Sequence, residues 1–163
     1  MVSLISLVSF SQEKENYIKD GFFYTKLESG VGEEILVKMS LSSDFLDKIT
    51  TTEVFKKWKD ETFSNPKNAG FIEKWKNQTD IETYLMSAVG MASFYAKWEL
   101  KNRDSYTPVN GKGFIYVNDK NEVNISFPIK GQNGYGNMIF ATAYYSEKMK
   151  DGEVKNSHFV SSN

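Results

Sequence analysis

The chain carries one histidine, His158, and no cysteine. A Ser-His-Asp hydrolase would have to use that imidazole as its base. Ser126 and Ser157 would be arbitrary nucleophiles, because no spacing selects either. Zinc needs several nitrogen or sulfur ligands, and one histidine without cysteine does not supply them. Asp44, Asp47, Asp60 and Glu61 lie close together in sequence. A glycosidase pair must flank a cleft, and solvated helix faces account for these carboxylates better. The catalytic and metal assignments are therefore empty, no cofactor is expected, and the reading leans away from an enzyme.

The candidate contact site is a loop, Gly131-Gln132-Asn133-Gly134-Tyr135-Gly136. It does not match a phosphate loop. No Lys-Ser/Thr follows the last glycine, and a strand follows where a helix N-terminus would be needed. The glycines suit a tight turn, which leaves Tyr135 at its tip as the contact residue. Trp58, Trp75 and Trp98 could stack on sugars or on a partner, although their helical positions beside apolar neighbours favour the core. Lys56, Lys57, Lys59, Lys74 and Lys76 form a basic cluster among acidic neighbours. With a net charge of −1 and Arg103 as the single arginine, a solvated face is expected and nucleic acid is not.

These residues must be positioned by regular elements. Residues 17–28 and 34–41 read as two strands, joined by turn chemistry at Ser29-Gly30-Val31-Gly32. Val54, Phe55, Trp58 and Phe63 recur at helical spacing after Thr51-Thr52-Glu53, and Asn65-Pro66 ends that helix. A shorter piece carries Phe71, Ile72 and Trp75. Thr79 and Glu82 form a capping box that opens the longest helix, residues 80–101. Ile81, Leu85, Val89, Ala92, Ala96 and Leu100 line one stripe of it, and Tyr84, Ala88, Met91, Tyr95 and Trp98 another. So wide an apolar arc predicts a largely buried helix. Residues 103–113 read as a polar linker. Strands follow at 114–117 and 123–129, where Val123, Ile125, Phe127 and Ile129 alternate with polar residues. A further strand is expected at 138–145, with Met138, Phe140 and Tyr144 on one face, and a last one at 154–160.

One domain fits 163 residues with 40% apolar and 15% aromatic content. The run Val2–Val8, followed by Ser9 and Ser11 before Gln12, is similar to the apolar region and cleavage site of a secretory signal, without the basic start. The expectation is a signal-peptide remnant over 1–11 and a single domain over 12–163, exported to the periplasm or cell envelope. A cytoplasmic location follows if the run is instead a strand.

Residues 111–160 resemble the cytochrome oxidase assembly protein family, whose soluble domain is similar to that of a mitochondrial translocase subunit. The likeness rests on Gly113-Phe114-Ile115, on Asn124 through Gly131, on Gly134-Tyr135-Gly136, and on the alternating strand to Tyr145. At Lys150-Asp151-Gly152-Glu153 the family's tryptophan is missing. The resemblance implies a helix packed on a twisted antiparallel sheet and a non-enzymatic binding or assembly role near a membrane, with a protein partner. The fold expected is thus α+β: an antiparallel sheet, a long helix packed on one face, and a small helical insertion. The alternative function is a small-ligand or glycan-binding domain using exposed aromatics, and a concave aromatic patch would favour it. A hydrolase built on His158 is the third.

Overall fold

A computed structural model describes residues 14–162. The expected cleavage before Gln12 lies outside the described residues. The strands are β1 (Tyr17–Lys19), β2 (Phe22–Glu28), β3 (Glu34–Leu41), β4 (Asn102–Pro108), β5 (Gly113–Val117), β6 (Val123–Gln132), β7 (Met138–Lys150) and β8 (Glu153–Ser162). Between β3 and β4 come the helices α1 (Phe45–Ile49), α2 (Glu53–Ser64), α3 (Ala69–Lys74) and α4 (Asp80–Glu99), with one 3-10 turn at Pro66–Asn68 before α3. The protein is a mixed α and β structure with one eight-stranded, mostly antiparallel sheet, in which seven strands run β1-β2-β3-β5-β6-β7-β8 and β4 pairs with β6 off this path.

β6 organises the sheet. Along one side it pairs with β5, from Val117↔Val123 to Phe114↔Ser126, and then with β4 at Thr107↔Lys130 and Pro108↔Ile129. Along the other side it pairs with β7 over ten residues. Its buried face holds Val123, Ile125, Phe127, Ile129 and Gly131. The opposite face carries Asn124, Ser126, Pro128, Lys130 and Gln132, as strand alternation requires. The only parallel pairing among the described strands is β3 with β5, at Met39↔Gly113 through Leu41↔Ile115. A parallel pair cannot be closed by a tight turn, so the connection from β3 to β5 is long enough to contain all four helices and β4.

Two Asp-Gly turns close hairpins. Asp20 and Gly21 have φ of 52° and 77°, and Asp151 and Gly152 have 54° and 75°. Both central residues are left-handed, the turn that matches strand twist. The first of these turns splits the strand expected over 17–28 into β1 and β2; Asp20-Gly21 was its signal. The expected linker 103–113 also needs correction, since it contains β4. Tyr106 is the reason: its ring is fully buried, and its hydroxyl lies 2.6 Å from that of Ser93.

Caps fix the helix starts. Thr52 Oγ1 accepts from the Phe55 amide, and the Thr79–Glu82 capping box is formed in both directions. Glu82 also accepts from the Ile18 amide at 3.0 Å and pairs with Lys14, which ties β1 to the start of α4. Burial pushes the Glu82 carboxyl up, but the Thr79 and Ile18 amides and Lys14 outweigh it and hold it below its ordinary value. Further along α4, Tyr84 donates to Glu147 of β7 at 2.6 Å, and Leu100 packs against Gly131 of β6. The sequence-based stripe through Met91 and Trp98 is corrected in part: Tyr84 and Ala88 are buried, whereas Met91 and Trp98 are exposed.

Gly30 sits in the turn between β2 and β3, and its amide donates to the Tyr106 carbonyl at 2.7 Å. A Cβ there would meet the Arg103 carbonyl oxygen and come within 2.6 Å of Asp104 Cα. Backbone cannot yield as a side-chain end can. Gly30→Ala is therefore expected to cost about 1–3 kcal/mol and to lower the urea midpoint. Gly134→Ala, where an added Cβ meets nothing within 4 Å, should leave the midpoint in place. Equal midpoints for the two variants would refute the close approach.

Candidate functional site

The contact loop expected from sequence is a self-satisfied turn. Gly131 belongs to β6, where it is buried, and so is no part of the loop. Gln132 ends the strand; its amide donates to Ser105 Oγ and its Oε1 accepts from Asn102. Asn133 Oδ1 accepts from the amides of Tyr135 and Asn137, at 2.9 and 3.1 Å, while Lys101 donates to the Gly134 carbonyl. Gly136 has φ +81°, so the turn does need a glycine. Tyr135 projects into solvent, 93% exposed.

His158 is not isolated. Its ring stacks on Tyr95 with centroids 4.0 Å apart, and its Nδ1 lies 3.0 Å from Glu99 Oε1. Ser157 and Ser126 belong to the opposite face of the sheet, because they are in register with Ser146 and Tyr144 while His158 alternates with them. The geometry supplies no nucleophile for the imidazole. Among the described residues no group of three His, Asp or Glu is placed to hold a metal ion. Of the basic cluster, Lys56, Lys57, Lys59 and Lys76 pair with Glu53, Glu61, Asp80 and Glu73, as a solvated face would. Trp58 packs on Phe55 and Tyr84. Trp98 corrects the expectation of a core tryptophan: it is 51% exposed and the Arg103 guanidinium lies over its ring.

Two phenols converge on Glu147. Tyr84 donates to Oε2 at 2.6 Å and Tyr145 to Oε1 at 2.7 Å. Burial drives the Tyr84 phenol well above its ordinary value, and the Glu147 charge adds to this. Tyr145 is raised by the same causes in the same order. Burial also raises Tyr106, against a small opposing effect of its Ser93 hydrogen bond. All three phenols are held in the neutral form, and Tyr84 and Tyr145 clamp Glu147 as donors.

The other face of the sheet is different. Two rows cross it from β5 to β8. One is Tyr116, Asn124, Ser146 and Ser157; the next is Phe114, Ser126, Tyr144 and Phe159. Small polar side chains on β6 form a trough. Tyr116, on which Phe114 stacks at 5.4 Å, walls it on one side, and Tyr144 and Phe159, stacked at 4.6 Å, on the other. The result is a cleft of about 250 Å³ with no charged residue in its lining. Its walls rise from strands two spacings apart, about 9.5 Å. Ser146 and Ser157 share a 2.8 Å hydroxyl hydrogen bond at its rim, and the Asn124 amide nitrogen donates to the Glu122 carbonyl. Sequence reasoning missed this site. The available signal was apolar residues on both parities of one strand, Phe114 and Tyr116 against Ile115 and Val117, which a sheet with one solvated face does not need.

No protein-family model, curated protein or solved structure matches this chain. Among the described residues no helix is long and apolar enough to cross a membrane.

The raised phenols set an alkaline limit. Their folded values lie above the unfolded value of about 10. The stabilisation is therefore complete below that pH and is lost as pH rises through and beyond it. The urea midpoint should hold from neutrality to about pH 9 and then fall. Phenolate absorbance should show Tyr84, Tyr106 and Tyr145 ionising only as the protein unfolds. Full reversible ionisation in the folded protein would contradict the clamp.

Proposed function

We propose that this protein is a non-enzymatic binding domain whose site is the uncharged aromatic cleft over β6. The observation that carries this reading is the trough of Asn124 and Ser126 between Tyr116 and the stacked Tyr144–Phe159 pair. Apolar walls with a few hydroxyl and amide groups suit a neutral, flat ligand that has its own hydroxyls. A sugar ring has both properties: C–H faces for the aromatic rings, and equatorial hydroxyls for serine and asparagine. An anionic ligand would want a cation in the lining, and there is none. The ligand class is therefore a neutral glycan, the alternative that the exposed aromatics favour.

A second reading, a membrane-proximal assembly module with a protein partner, is supported by α4. It is tied to β7 through Tyr84, to β8 through Tyr95 and to β4 through Ser93, and Leu100, the residue just after it, packs on β6. We infer that α4 lies across one face of the sheet, the arrangement that the resemblance to oxidase assembly proteins implies. Export of the chain rests on the run Val2–Val8 and Ser9/Ser11, and is proposed on that pattern alone.

Two measurements test these readings. On a glycan array the purified protein should retain neutral glycans. Tyr144→Ala and Phe159→Ala should each weaken that binding about tenfold or more, roughly 1.4 kcal/mol, while Tyr135→Ala leaves it unchanged. An array with no retained glycan, or loss caused by Tyr135→Ala instead, would overturn the cleft as the site. For α4, Ala92 is 2% exposed. Ala92→Leu should cost about 1–3 kcal/mol by overpacking, and an unchanged melting transition would place that side of the helix away from the sheet.

A further inference from the structure

The sheet has two edges of very different kinds. β1 is three residues long, a short edge of the sort that resists pairing. β8 is ten residues long, contains no proline, and among the described residues pairs only with β7. Both sides of this open backbone carry aromatic shelves. On the cleft face Phe159 is 57% exposed and stacks on Tyr144. On the other face the ring of His158 lies on Tyr95, which leads to Phe94 at 5.6 Å and from there to Trp98 at 5.7 Å. Phe94 and Trp98 are half exposed. A long edge between two apolar shelves is built to receive another strand.

We propose that the occupant is a second copy of this chain, with two β8 strands pairing antiparallel about a two-fold axis at Ser157. The strand is self-complementary about that residue. A two-fold interface sets residue i against j and j against i, and alternation requires both to share a face. With Ser157 on the axis, Val154 stands opposite Val160, Lys155 opposite Phe159, and Asn156 opposite His158. Valines meet on one face, an ammonium meets a ring on the other, and no like charges oppose each other. Moving the axis to His158 sets imidazole against imidazole and Val160 against Asn156. Moving it to Asn156 sets Glu153 against Phe159 and Val154 against His158. Only the Ser157 register satisfies every pair. The inference does not depend on what the cleft binds.

The test uses the full-length protein. Light scattering after gel filtration should give twice the 18.7 kDa chain mass. Ser157→Glu and Ser157→Lys each place like charges across the axis, so each should raise the dimer dissociation constant about tenfold or more. Mixing the two variants should restore a dimer, which also shows that both are folded. The chain has no cysteine, so Ser157→Cys should form a disulfide-linked dimer on mild oxidation, while Lys26→Cys on β2 should not. A one-chain mass for the unaltered protein overturns the proposal. So does a two-chain mass that survives both charged variants, or a mixture that fails to re-pair. A monomer whose β8 amides are protected from hydrogen exchange would also overturn it, because another part of the chain would then cover the edge.

Discussion

β6 carries two faces that cannot be exchanged, and its register decides which one is buried. Val123, Ile125, Phe127 and Ile129 are each at most 2% exposed, while Asn124, Ser126 and Lys130 face away from them. A slip of one residue against β7 would send four large apolar side chains into water and bring an amide, a hydroxyl and an ammonium into the core. At about 1.5–3 kcal/mol for each large apolar side chain exposed, the four together cost about as much as a typical margin of stability. β5 and β4 share one side of β6 and β7 holds the other, so the same register also places Phe114, Tyr116 and Tyr144. The cleft is the reverse side of the core: Tyr116, Asn124, Ser126, Tyr144 and Ser146 are each held in place by a buried chain neighbour.

Polar groups that enter the interior do so as connectors. Tyr84 and Tyr145 give two hydrogen bonds to Glu147, Tyr106 pairs with Ser93, and Glu82 receives the Thr79 and Ile18 amides. Tyr84 to Glu147 and the Ile18 amide to Glu82 join elements distant in sequence. An apolar contact could supply similar energy but not the same direction. Satisfied buried polar groups specify one arrangement, because any other leaves them unpaired at a cost of about 1–3 kcal/mol each. This suits a sheet that joins an N-terminal hairpin to a C-terminal meander through three parallel register pairs. So short a seam needs support, and β4 provides some of it through the Gly30–Tyr106 backbone hydrogen bond.

The sequence was most legible where local chemistry and burial agree. Thr79 and Glu82 announce the start of α4 because a capping box is a local device, and the alternation in β6 announces a strand because one face is core. Reading failed where partners far along the chain decide. Nothing local says that Arg103 to Pro108 will pair with the far half of β6; Tyr106 enters the core where its hydroxyl meets that of Ser93. Gly131 looked like loop because glycine usually means a turn, yet its place is set by Leu100 lying against it. The tryptophans misled in the other direction, since an apolar stripe on α4 does not reveal that Trp98 will lie beyond the packed arc, under Arg103. The aromatic cleft was hidden for a related reason. Phe114 and Tyr144 are spread over strands whose order in the sheet is not readable from their order in sequence.

The position of the cleft relative to the β8 edge joins the two proposals. A two-fold axis normal to the sheet keeps the same face of both copies on the same side. Two clefts would then open in one direction, each with Phe159 as the wall nearest the seam. For a ligand with repeating rings, the second cleft is filled from an already bound chain, so its effective concentration is set by geometry and not by bulk supply. On the proposed glycan reading, a shallow, uncharged cleft offers one sugar few strong contacts, and the proposed pairing of two clefts would compensate without any new side chain. The same argument explains why the walls need not be deep: affinity gained by repetition leaves each site free to exchange. Ser157 is the residue on which both ideas meet, lying at the rim of one cleft and on the axis between two.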